Sequence, residues 1–183
     1  DGFDVGQSGA IEGPSTYNNI DLPTNLQIAP FSNLQNADLS GMDLSGADLQ
    51  GANLHGTDLY GAILVDANLQ GVNLDGADLY GANLQGANLD GADLHSANLH
   101  GANLQGVNLQ GTDLHGANLQ GVNLADANLQ GTNLQGVNLD GANLHGANLQ
   151  SAIYDSTTQF PDGFDGGYPC GIPRTRASAE WSY

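Results

Sequence analysis

GANLQGANLDGADLHSANLHGANLQ, residues 81–105, is five successive copies of one five-residue unit, and that period decides the fold. A strand repeats every two residues and an α-helix every 3.6, so a period of five belongs to neither. It describes a short extended segment followed by a turn. Working outward from this stretch, Leu recurs at every fifth position from Leu34 to Leu149 without exception, which makes 24 units. Two residues before each Leu stands a small residue, Ala in 15 of the 24, and positions two apart in an extended segment point the same way. Leu and its small partner therefore face one interior. The residue between them, Asn or Asp in 23 units and Ile63 in the other, faces out.

The position two after Leu is Gly in 19 units, with Asn36, Asp66, Ser96, Asp126 and Ser151 in the rest. Gly is the residue of sharp turns, and Asn and Asp tolerate left-handed backbone, so this position is the corner. Asn and Asp side chains also bond to nearby backbone, from which the outward column is expected to serve the turns.

The units, among them Ala-Asp-Leu-Gln-Gly at 47–51 and Ala-Asn-Leu-Gln-Gly at 82–86, resemble the pentapeptide-repeat family, whose pattern is A(D/N)LXX. The resemblance covers about 32–151. It implies an all-β fold, a right-handed, four-sided β-helix with four pentapeptides to a coil. Twenty-four units then make about six coils, roughly 25 to 30 Å tall at strand spacing. Leu34, Leu54, Leu74, Leu94, Leu114 and Leu134 would stack in one interior column. Residues 1–31 read as an extended N-terminal arm or cap, with Pro14, Pro23 and Pro30 among Ile20, Leu22, Leu26 and Ile28. Residues 152–183 read as a closing segment and tail.

If a coil is twenty residues, outward residues twenty apart stack. Gln50, Gln70, Asp90, Gln110, Gln130 and Gln150 form one column, expected to bond coil to coil through side-chain amides. Gln35, His55, Asp75, His95, His115 and Gln135 form another. His55, Asp75, His95 and His115 are candidate transition-metal ligands, although side chains on a flat wall are expected to diverge. Asp38, Asp58 and Asp78 stack on a third column beside Tyr60 and Tyr80, where a loosely held Ca²⁺ would relieve the repulsion of like charges. Ile63 and Val65 project outward among polar neighbours and ask for a cover, either a terminal segment or a partner subunit.

The chain carries 20 acidic residues against Arg174 and Arg176, a net charge of −18. Phosphate binding needs a cationic surface, so direct nucleic-acid binding is not expected. No apolar run is long enough to span a bilayer. Both arginines lie in a tail with Cys170, the lone cysteine, and Trp181, the composition of an intersubunit hook on an acidic rod. Cys170 has no internal disulfide partner. The first residue is Asp1 rather than Met, from which export is expected, to the cell exterior, the periplasm or the thylakoid lumen. No catalytic constellation, phosphate-binding loop or paired nucleophile stands in the sequence, and a filled prism leaves no pocket for one.

Three functions remain open. The first is a self-associating structural rod joined into a fibre or sheath by its terminal segments. The second is an acidic mimic of DNA that binds a topoisomerase, a role that the family resemblance implies for some members. The third is a monomeric periplasmic or lumenal scaffold.

Overall fold

The computed structural model of the chain describes residues 28–162 and 164. Its unit is a four-residue turn. In each of the 24 repeats the Leu carbonyl accepts a hydrogen bond from the N–H three residues on, as from Ala37 to Leu34 at 3.0 Å and from Ala102 to Leu99 at 3.0 Å. The third residue of every turn has positive φ, from +56° at Asn36 to +73° at Gly146, while the second never does. That combination is a type II turn, which is why Gly dominates the corner and why Asn, Asp and Ser are its substitutes. Phe31 takes the corner place one unit earlier at φ +58°, and its ring is exposed.

Four such turns close one coil. Parallel bridges join outward residues twenty apart, from Asn33 with Asn53 through to Asn133 with Ile153. Each repeat of the middle coils makes three backbone bonds to its neighbours in the stack. Leu54 N–H donates to the Asn73 carbonyl at 2.7 Å, Gly56 N–H to Asp75 at 2.9 Å, and Asn53 N–H back to Ser32 at 2.9 Å. The solenoid has four sides. Side one is centred on Leu34, Leu54, Leu74, Leu94, Leu114 and Leu134; sides two, three and four begin with Leu39, Leu44 and Leu49.

The Leu side chains fill the centre, and those from Leu34 to Leu139 are at most 1% exposed. Burial of each stabilises the fold by about 1.5 to 3 kcal/mol before chain entropy is set against it. Thr57, Thr112 and Thr132 replace Ala in this interior, and each hydroxyl donates to a Leu carbonyl of the preceding coil at 2.8 to 2.9 Å. The polar group is buried but satisfied.

The ladder runs past residue 151. Tyr154 occupies the next Leu place on side one, and Phe160 the next on side two after one extra residue, so that Gln159 rather than residue 158 pairs with Asn138. A turn pinned by Asp155, Thr157 and Thr158 absorbs the insertion. Tyr154 meets Phe160 edge-on at 5.4 Å and Phe160 stacks on Phe164 at 4.8 Å, so wide rings close the core over these two sides.

Replacing Leu99 with Ala should lower stability by about 2 to 5 kcal/mol, and Leu99→Asp should unfold the middle coils by burying an unpaired charge. Denaturant melts measure both, and an unchanged midpoint for Leu99→Asp would contradict the inward register.

Candidate functional site

The walls are where chemistry would have to occur, and they are built from the Asn/Asp column. In all 23 units that carry Asn or Asp, the Oδ1 atom accepts the backbone N–H two residues on, as Asn53 does from His55 at 3.2 Å and Asp58 from Tyr60 at 2.9 Å. The column caps its own turns, as expected. Eleven of the 16 Asn add a second contact: the Nδ2 donates to the Oδ1 of the coil before, as from Asn103 to Asn83 and from Asn123 to Asn103, both at 3.0 Å. Ile63 interrupts both patterns on side three.

On side one the imidazoles do not diverge, contrary to expectation. Asp75 stands between two of them, with His55 Nδ1 at 3.2 Å from one carboxylate oxygen and His95 Nδ1 at 3.1 Å from the other. The His95 contact is aligned as a hydrogen bond, while the His55 contact has only ion-pair distance. A carboxylate one strand spacing from each ring draws both toward it. His115 stacks on His95 at 5.2 Å instead of joining them. Among the described residues no three His, Cys, Asp or Glu side chains converge as metal ligands would.

On side two, Asp38, Asp58 and Asp78 spend Oδ1 on their own turns, and Asp78 also accepts from Asn98 at 2.9 Å. These oxygens are aimed at protein donors. Asp38 has a further one: the Ser40 hydroxyl, at 2.6 Å, and then the Ser40 N–H hold its carboxyl below the usual carboxylate range. Ser45 does the same for Asp43, and Thr157 for Asp155. Tyr60, Tyr80 and His100 stack in line at 5.3 and 5.0 Å. His100 was missed as a member of this stack, although the spacing of twenty places it there.

The Gln column of side four bonds only in part. Gln50 donates to Gln70 at 3.2 Å and Gln70 to Asp90 at 3.1 Å, and among the described residues no such bond links Gln110, Gln130 and Gln150. Ile63 is 39% exposed and Val65 half-buried. Nothing among the described residues covers Ile63. Val65 borders a shallow depression at the corner of sides three and four, where Gly86 and Gly106 leave space between Asp66 and Asp126. Cys170, Arg174, Arg176 and Trp181 lie outside the described residues, as does the arm up to residue 27. No helix among the described residues is long and apolar enough to cross a membrane.

The fold and its walls define a parallel β-solenoid whose coil is four five-residue units. The pentapeptide-repeat family model, described as "Pentapeptide repeats", matches in eight copies over 31–64, 62–101, 92–131 and 117–153, and the chain belongs to that family. It is similar to the pentapeptide repeat protein alr5209 of Nostoc PCC 7120, at 47% identity over 51% of this chain and 77% of that one, with a TM-score of 0.50. A pentapeptide repeat protein of the Arabidopsis thaliana thylakoid lumen is similar at 32% identity over 53% and 69%, also with a TM-score of 0.50. HetL of Nostoc PCC 7120, involved in heterocyst differentiation regulation, is 38% identical over 67% and 70%, with a TM-score of 0.32. No curated protein matches the chain.

Replacing Ser40 with Ala removes the hydroxyl donor to Asp38, and the Asp38 titration should move up toward the ordinary carboxylate value. A depressed carboxyl contributes stability that is fully present above its unfolded pKa and is lost as pH falls through the folded one, so in the variant the contribution should be smaller and its loss complete at a higher pH. Carboxyl NMR titration reads the shift, and an unmoved Asp38 would remove the assigned cause.

Proposed function

We propose that the protein is a non-enzymatic structural element, an exported rod that associates with copies of itself through its terminal segments into a fibre or sheath. The coils wind right-handed in this reading, as the resemblance implies. The observation that carries it lies in the last described coil. The aromatic closure covers sides one and two, while on sides three and four the N–H groups of Leu144 and Leu149 meet no partner among the described residues. Leu144 is only half-buried where the Leu residues of the middle coils are fully so. An open solenoid end offers backbone groups and apolar surface to an extended segment, and a contact between one molecule's end and another's arm or tail propagates without closing. The tail with Arg174, Arg176, Cys170 and Trp181 has the charge and the anchors for that role, and Ile63 with Val65 offers a second apolar place for it.

The non-enzymatic reading is supported by the filled core and by walls whose polar groups serve turns and ladders. Export draws support from the likeness to the lumenal Arabidopsis protein. The reading as an acidic DNA mimic is favoured by the charge of −18 and by the aligned carboxylates of Asp38, Asp58 and Asp78. Against it stand the neutral amides that make up most of the wall.

Negative-stain microscopy with sedimentation of the full chain should show long uniform polymers, and deletion of residues 166–183 should leave dispersed rods. Polymers that survive the deletion would exclude the tail as the hook. Wild-type rods that stay single would overturn the fibre and turn attention to a topoisomerase supercoiling assay, or to a monomeric scaffold.

A further inference from the structure

Side one carries two like-with-like stacks at the same two coils. His115 lies on His95 with ring centroids 5.2 Å apart and planes 10° from parallel, and two residues before them Asp113 is bridged to Asp93. Carboxylates one strand spacing apart repel each other, and the chain has no Lys or Arg before Arg174 to offset them. The other stacked aspartates, Asp38, Asp58 and Asp78, are followed two residues on by Ser40, Tyr60 and Tyr80, none of them an imidazole. Only at His95 and His115 do paired anions stand beside paired imidazoles.

The hydrogen bond to Asp75 decides which nitrogen His95 has to offer. An ionised carboxylate only accepts, so at 3.1 Å the Nδ1 carries the hydrogen and the Nε2 of the neutral ring keeps its lone pair. A carboxylate on the outer nitrogen is the usual support behind a metal-ligating histidine, because it fixes the ring and raises the basicity of the free nitrogen.

We propose that His95 and His115 hold one transition-metal ion of the Zn²⁺ type between them on side one, with Asp75 orienting His95, Asp93 and Asp113 supplying negative charge, and water completing the shell. Among the described residues no three ligands converge, so the site is one of two imidazoles. A metal about 2.1 Å from each nitrogen needs the two nitrogens within about 4.2 Å, so the stacked rings have to tip toward each other by about 1 Å. Both are exposed and have room to do so. His55 stays outside the site, because Asp75 stands between it and His95. A hard cation such as Ca²⁺ is poorly matched. It favours oxygen over imidazole, and the Oδ1 atoms of Asp93 and Asp113 already accept the N–H groups of His95 and His115, each at 3.0 Å. The site does not depend on the self-association reading.

The test titrates Zn²⁺ alone into the full chain, with Cys170 alkylated so that its thiol does not compete, at about pH 7.5, where an ordinary imidazole is mostly neutral. Calorimetry compares wild type with His115→Gln, Asp75→Ala and His145→Gln. Gln already stands at 35 and 135 in the column of His115 and at 85 and 105 in that of His145, and Ala125 takes the same place in its unit as Asp75, so the walls accept all three; thermal melts verify folding. Wild type and His145→Gln should bind one ion alike, while His115→Gln and Asp75→Ala should each bind it about tenfold or more weakly. The imidazole nitrogen signals of His95 and His115 should move on addition of Zn²⁺ while those of His145 stay. Undiminished affinity in His115→Gln or Asp75→Ala would overturn the site, as would an equal fall in His145→Gln. So would displacement of the Zn²⁺ by about a hundredfold excess of Ca²⁺, which would assign the binding to the acidic wall.

Discussion

The structure depends on one hydrogen bond, which the Leu carbonyl accepts from the N–H three residues on, closed over a corner residue with left-handed backbone. It reverses the chain after only a few extended residues, too few for an ordinary strand. What remains between corners is a small residue, an outward residue and a Leu, and alternation in that short segment sends the first and third inward. Four corners return the chain to its starting direction with a rise of one strand spacing. The same geometry then repeats, and each coil finds its backbone partners in the coils on either side. Core, walls and ladders all follow from the corner.

The walls follow in a second sense. A turn that begins after Leu leaves the N–H of its second residue pointing along the wall, and the outward Asn or Asp is the nearest side chain that can accept it. Either residue meets that need with Oδ1. Only Asn also has a donor, and that difference between two otherwise interchangeable residues gives the ladder its direction. Side chains occupied with one another have little left for a ligand, which is why no convergent metal-ligand cluster stands among the described residues.

Much of this was legible in the residues. The unbroken Leu period, the small residue at the second place before it and the Gly corners fixed inside, outside and turn; Asn36, Asp66, Ser96 and Asp126 at the corner confirmed its left-handed backbone. The coil length was not in the period itself and came from the family resemblance, after which the columns could be written down. What columns do not contain is side-chain direction. Asp75 draws His55 and His95 toward it, whereas His115 turns to stack, and one rung spacing suits both outcomes. Gln, with one more rotatable bond than Asn, bonds coil to coil only in places, over Gln50, Gln70 and Asp90 and from Gln120 to Asp140. The single residue inserted before Gln159 was equally hidden, because no Leu marks the coil once Tyr154 and Phe160 take its place.

The central claim is that residues twenty apart are neighbours in successive coils. Through-hydrogen-bond scalar coupling in an isotopically labelled sample tests it directly, because the Leu89 N–H donates to the Asn108 carbonyl at 2.8 Å and Leu99 to Asn118 at 2.8 Å. Couplings that link each Leu amide from Leu34 to Leu134 to the carbonyl nineteen residues on are the predicted result. Couplings at any other regular offset would contradict the coil of four units and the ladders built on it.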